Sequence, residues 1–162
     1  MTPGRILLVS AMAVIVILIA LNVYYRSVQA PVWKEERAAE AQALKVTDLK
    51  EATDSEKFVW EEPVWIVKGK DKDGEDAYVW LKKDNPILLK AKDGLSKADM
   101  KQKFLESKPD ADIHDINVGM LGGVPVYQIY YDRKQASITS YYYEFYKFQD
   151  GAFIITYKLP SQ

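Results

Sequence analysis

Hydrophobic and polar positions divide the chain into one apolar stretch and a long mixed one. From Ile6 to Leu21 no residue is charged, and only Ser10 is polar. The run continues to Tyr25, about 20 residues, which as a helix spans roughly 30 Å. Tyr24 and Tyr25 close it, where amphipathic rings favour a membrane interface. Val28-Gln29-Ala30 resembles a cleavage site. The run nonetheless exceeds the ~7–15 apolar residues of a secretory signal, and Pro31 restricts the extended backbone that a peptidase must bind. The pattern predicts an uncleaved single-pass anchor over residues 1–30. Arg5 and the amino terminus mark the short tip as cytoplasmic, although Arg26 weakens the charge bias. The soluble region is then extracytoplasmic, at the cell membrane.

Beyond the anchor the periodicity changes twice. Trp33 to about Ala52 is rich in Ala, Glu, Lys and Leu and predicts a helix, with Pro31 at its start. Lys57 to Lys68 holds Phe58, Val59, Trp60, Val64, Trp65, Ile66 and Val67 and predicts a strand, bent or at an edge near Pro63. Residues 69–76 form a polar turn. Ala77–Lys83 and Ile87–Ala91 predict two more strands.

The sequence Asp93-Gly94-Leu95 then restarts the pattern. Ser96 is an N-cap, with Asp99 three residues on as in a capping box. This helix ends before Pro109, with Met100 and Phe104 on one face. Strands follow over Ile113–Val118, Val124–Tyr131, Thr139–Phe148 and Ala152–Leu159. Gly122-Gly123 and Asp150-Gly151 mark tight turns. The fold class is α+β: helix and three strands, then helix and four, each helix covering an antiparallel sheet. The expected boundaries are 31–92 and 93–162. Units of roughly 60 residues are small for independent cores, so the two are expected to pack together.

These segments carry a resemblance. The short-tailed anchor and two helix-then-sheet units are similar to the TseB (YpmB)-like family of Gram-positive bacteria, with two cystatin-like domains related to PepSY domains. Ala77-Tyr78-Val79-Trp80-Leu81, Val124-Pro125-Val126-Tyr127-Gln128-Ile129-Tyr130-Tyr131, and Tyr141-Tyr142-Tyr143-Glu144-Phe145 before Asp150-Gly151 are the stretches that resemble it. The resemblance implies a role in cell-wall elongation and a class B penicillin-binding transpeptidase as partner. Cystatin-like and PepSY-like folds also leave open an extracytoplasmic protease inhibitor or propeptide-like chaperone. Its wedge would be Gly119 to Gly123.

Composition narrows the chemistry. The 162 residues carry a net charge of −1. All 23 acidic and 20 of the 22 basic residues follow Arg26, so the soluble part is mildly acidic, unlike a nucleic-acid-binding surface. There is no cysteine, which excludes disulfides and thiolate sites. His114 is the only histidine, and its neighbourhood Asp110–Asp115 reads as strand entry rather than a metal site. Asp71-Lys72-Asp73-Gly74-Glu75-Asp76 departs from a calcium loop: the glycine is misplaced, and Lys82 stands where the closing Glu belongs. Gly119–Gly123 lacks the Lys-Ser/Thr of a phosphate loop, and no serine sits in a nucleophile elbow. Glu61 and Glu62 are adjacent in a strand and cannot converge. No cofactor and no enzymatic activity is expected.

The remaining feature is aromatic. Eight of the 11 tyrosines lie between Tyr127 and Tyr157. Alternation groups Tyr141, Tyr143 and Phe145 on one face of a strand and Tyr142, Tyr146 and Phe148 on the other, without fixing which faces inward. Both sets can be structural, or one can bind a partner, as Tyr and Trp often do. The candidate partner-binding residues are Tyr141, Tyr142, Tyr143, Tyr146, Trp65 and Trp80.

Overall fold

The structure is a computed structural model that describes residues 3–82, 85–135 and 138–160, without the side chains of 3, 5–11, 28, 29 and 135. The side chains of Arg5, of the first third of the apolar run and of the Val28-Gln29 pair, and the expected strand end at Lys83, therefore lie outside what the structure describes. The chain forms two compact units, Met1–Ala38 and Ala39–Gln162. Both sheets fall within the second, while the expected boundary at residue 31 lies inside the first.

Helix α1 covers Pro3–Val46, with Pro31 inside it rather than at its start. A proline there removes one N–H from the helical ladder and crowds the preceding turn. The segments Met12–Ser27 and Ala30–Val46 meet at a 43° bend. Among the described residues no single helix is long and apolar enough to cross a membrane, while this bent pair passes by length and composition.

In the second unit α1 stops at Val46, six residues short of the expected Ala52. Thr47 ends it: its hydroxyl donates to the Ala43 carbonyl (2.8 Å) and accepts the Leu49 N–H (3.2 Å). The chain turns directly into a strand, β1 (Leu49–Val59), which the sequence did not announce. Only Leu49 and Phe58 are buried along it, and two register irregularities break its pairing, so no period of two is visible. The expected single strand Lys57–Lys68 is in fact a hairpin. Its second arm, β2 (Pro63–Asp71), starts on the proline, a position where a missing N–H is tolerated. Strands β3 (Asp76–Leu81) and β4 (Ile87–Lys90) complete an antiparallel sheet of order β1-β2-β3-β4, four strands rather than three.

A single turn of 3-10 helix, Ala91–Asp93, leads to α2 (Lys97–Ser107). Ser96 caps it, and the reciprocal bonds with Asp99 form the expected capping box. Strands β5 (Ala111–Leu121), β6 (Val124–Gln135), β7 (Ile138–Lys147) and β8 (Phe153–Lys158) make a second antiparallel sheet in sequential order. Gly122 and Gly123 turn the β5–β6 hairpin with φ of 57° and 79°, a region where a side chain is strained.

Each sheet sends one face to its helix and the other toward its sister. In the first, Val67 pairs with Val79 and packs with Ala39, Ala43 and Leu49 on the α1 side. Ile66, paired with Trp80, faces the other way, into a core shared with Val126 and Phe145 of the second sheet and with Phe148 just beyond β7. In the second sheet Ile129 and Tyr131 lie in the same core as Met100 and Phe104 of α2, with the Phe104 and Tyr131 rings 4.8 Å apart. The sheets thus pack together, as units of this size require.

Candidate functional site: an exposed aromatic face

Register in the second sheet decides which aromatics meet. Tyr130 pairs with Tyr143, and Tyr143 with Tyr157, so three tyrosines stand in one row across β6, β7 and β8. Ring centroids of Tyr130 and Tyr143 are 5.0 Å apart. Tyr141, one step along, stacks at 6.1 Å from Tyr130. Trp60, from the β1–β2 turn, leans over the row at 5.4 Å from Tyr143, 4.9 Å from Phe145 and 5.3 Å from Tyr157. At the opposite end His114 lies 5.0 Å from Tyr130 and bonds Asp132 through Nε2 at 2.7 Å. A register irregularity between Ile113 and Asp115 turns His114 onto this face.

The face is apolar in its rings and polar at its rim. Tyr141 and Tyr157 are 39% and 38% exposed, while Trp60, Tyr130 and Tyr143 are half-buried. Burial, assisted by the neighbouring phenols and Asp132, raises the Tyr130 hydroxyl above its ordinary value, so it stays neutral at physiological pH. The surface can offer ring edges and neutral hydroxyls to a protein partner. Among the described residues no hydroxyl hydrogen-bonds the His114 ring.

The other parity of β7 is core. Tyr146 is buried, and its hydroxyl donates to Glu144 at 2.5 Å. Glu144 is fully buried and also accepts from Tyr131 (2.7 Å) and Lys108 (2.7 Å). Burial pushes its carboxyl up, but Lys108, Tyr146 and Tyr131 together outweigh that and hold it below the ordinary glutamate range. Tyr142 is half-buried and stacks 5.2 Å from Tyr131. The grouping by alternation is as expected, yet neither pair is uniform. Tyr141 is open and Tyr143 is covered by Trp60, while Tyr146 lies deeper than Tyr142.

The two tryptophans lie elsewhere. Trp80 is fully buried, its indole N–H donating to the Gly119 carbonyl at 2.8 Å, so it is a core residue and not a surface contact. Trp65 is half-buried on the α1 side of the first sheet, with the Lys57 ammonium 5.7 Å from its ring. Trp60, Tyr130, Tyr157 and His114 are not among the partner-binding residues that the sequence pattern predicts. They join the face through register and through packing between sheets, and alternation within one strand carries no trace of either.

Two other features bear on the excluded chemistries. Asp71, Asp73 and Glu75 bring carboxylate oxygens within 4.8 Å of one another, but the Lys90 ammonium sits among them at 3.0, 2.9 and 2.6 Å. An internal cation already occupies this turn. The Gly119–Gly123 segment, the expected inhibitory wedge, is the end of the β5–β6 hairpin and is tied to the first sheet. Gly119 packs under the Phe58 ring, and the Gly122 N–H donates to Glu61 at 2.9 Å. A cleft of about 910 Å³ opens beside it, lined by Glu62, Val64, Lys82 and Met120.

Comparison with known proteins agrees with this architecture. The profile described as "Cell wall elongation regulator TseB-like domain" matches residues 38–82, from the end of α1 through β3. A Bacillus subtilis (strain 168) protein named "Probable cell wall elongation regulator TseB" is 31% identical over 137 residues, 80% of this chain and 82% of that one. The solved structure of the YpmB protein from Bacillus subtilis superposes with a TM-score of 0.68 at 27% identity, covering 76% of this chain and 96% of that one. The chain belongs to the TseB-like family of cell wall elongation regulators.

Proposed function

We propose that this protein is a membrane-anchored, extracytoplasmic and non-catalytic regulator of cell-wall elongation, which holds a class B penicillin-binding transpeptidase against the aromatic face of its second sheet. The carrying observation is the 31% identity over most of the chain to a relative named as a wall-elongation regulator. Geometry supports the role of the face: its rings are ordered by register, and Tyr141 and Tyr157 remain open to solvent. Anchoring is supported by the first unit, where the apolar side chains between Met12 and Tyr25 stand exposed to their surroundings. In lipid they would be buried. Two proteins held in one membrane meet at a high effective concentration, so a modest interface suffices.

Capture of the transpeptidase from solubilised membranes by the tagged full-length chain tests the reading. The double variant Tyr141→Ser/Tyr157→Ser should lose capture while keeping its thermal midpoint. Undiminished capture would remove the aromatic face from the proposal. N-terminal sequencing of membrane-fraction protein tests the anchor: a terminus at Pro31, with release to the medium, would overturn it. The inhibitor reading gains no support from the docked Gly119–Gly123 segment.

A further inference from the structure

Strand β8 ends the second sheet, and one of its edges pairs with nothing among the described residues. Hydrogen-bond parity fixes what that edge offers. The Leu159 N–H donates to the Tyr141 carbonyl, and the Lys147 N–H to the Ala152 carbonyl, both at 2.8 Å. Antiparallel bonding alternates, so Ile155, Tyr157 and Leu159 direct their main-chain groups toward β7. Thr156 and Lys158 direct theirs away, and no described residue bonds them.

The side chains of this edge are those of an interior strand. Phe153 is 57% exposed, and Ile155 and Tyr157 are also open. The strand FIITYK has one charge and no proline. Free edges normally carry several charges, a proline or a strong bulge. The one irregularity here falls between the partners of Phe145 and Tyr146, beside Ile154, and leaves 155–158 regular.

We propose that the free edge of β8 pairs antiparallel with β8 of a second copy of this chain, about a two-fold axis at Thr156. Such an axis sets Thr156 opposite its own copy, with both N–H and both C=O groups exchanged. Tyr157 then faces the partner copy's Ile155 on the Trp60 side of the sheet, twice by symmetry. An aromatic beside a β-branched residue is a favourable cross-strand pair. The two neighbouring registers toward the end of the strand conflict. An axis at Lys158 would oppose like charges. One at Tyr157 would bring Pro160, which has no N–H, into the ladder. The row Tyr130–Tyr143–Tyr157 would continue onto the second copy, joining two aromatic faces into one eight-stranded surface.

The absence of native cysteine makes the test clean. Thr156→Cys, in the full-length chain in its own membranes, should give a disulfide-linked dimer on mild oxidation. Hydrogen-bonded antiparallel neighbours lie about 5.5 Å apart between Cα atoms, within reach of a disulfide. Lys101→Cys, on the outer surface of α2, should cross-link at least tenfold less. Thr156→Pro removes an N–H that β7 does not use, so the sheet should stay folded while dimer affinity in detergent falls at least tenfold by sedimentation. Cross-linking at Thr156→Cys no greater than at Lys101→Cys would overturn the proposal, as would capture only of a different protein. So would a dimer that survives Thr156→Pro. If Thr156→Pro fails to fold, the cysteine comparison alone decides.

Discussion

The Trp80 indole N–H donates to the Gly119 carbonyl at 2.8 Å, bridging the two sheets across 39 residues of sequence. Both groups are buried, so losing either leaves the other without a partner in a dry seam. Trp80→Phe, which keeps a ring but not the donor, should destabilise the unit by about 2–4 kcal/mol. Urea unfolding followed by circular dichroism checks this, and a change below ~1 kcal/mol would contradict the bridge.

Close approach at the same seam yields a second expectation. A Cβ on Gly119 would lie 2.6 Å from the Phe58 ring. Gly119→Ala should therefore cost roughly 1–3 kcal/mol through overpacking. Adding Phe58→Leu should recover part of it. Additive losses in the double variant would show that the ring is not the obstacle.

Replacing Gly122 and Gly123 together by valine places β-branched side chains at positive φ. The second sheet should lose roughly 1–3 kcal/mol. An unchanged thermal midpoint would mean that the turn has another conformation.

Glu144 makes stability depend on acid. Its folded carboxyl titrates below the ordinary value of 4.5, so its contribution is complete above that value and is lost as pH falls through the lowered folded value. Glu144→Gln should flatten that acid limb. At neutral pH the variant should be less stable by about 2–4 kcal/mol, because Lys108 keeps a half-buried charge without its partner. Equal acid midpoints for variant and parent would exclude Glu144 as the titrating group.

The two parities of β7 should separate in mutagenesis, though not as symmetric pairs. Tyr146→Ala removes a buried ring and a donor to Glu144, and should cost about 3–5 kcal/mol. Tyr141→Ala should change stability by less than ~0.5 kcal/mol, as exposed substitutions usually do. If transpeptidase capture falls for Tyr146→Ala alone, and only in step with unfolding, the aromatic face is ordinary packing.

Lys90 predicts indifference to calcium. Its ammonium bonds three carboxylates at the β2–β3 turn. Millimolar calcium should leave the midpoint of the native chain unmoved. It should raise that of Lys90→Met, where the carboxylates are left to repel one another. A calcium-dependent rise in the native chain would mean that the ion displaces the lysine.

Much of the fold follows from local pattern. Ser96 and Asp99 announce the start of α2, because a capping box is a contact between residues three apart. Strands β5 to β8 follow their β-branched and aromatic residues to within a few positions, and Gly122-Gly123 marks a turn that needs positive φ. Grouping of Tyr141 with Tyr143, and of Tyr142 with Tyr146, follows from the period of two. These signals are all short-range, and short-range physics is what a sequence displays directly.

Tertiary structure decided the rest. Strand β1 is polar along most of its length and became a strand because β2 lay beside it, a pairing that overrides the helix propensity of its start. Pro31 lies within α1 rather than at its beginning. Above all, the burial of Trp80 and the exposure of Tyr141 could not be read from residue type. Both are large aromatics in alternating strands. What separates them is that one strand face meets the sister sheet while the other reaches past its edge, and that boundary is set by register and by the docking of Trp60 and Gly119 between sheets.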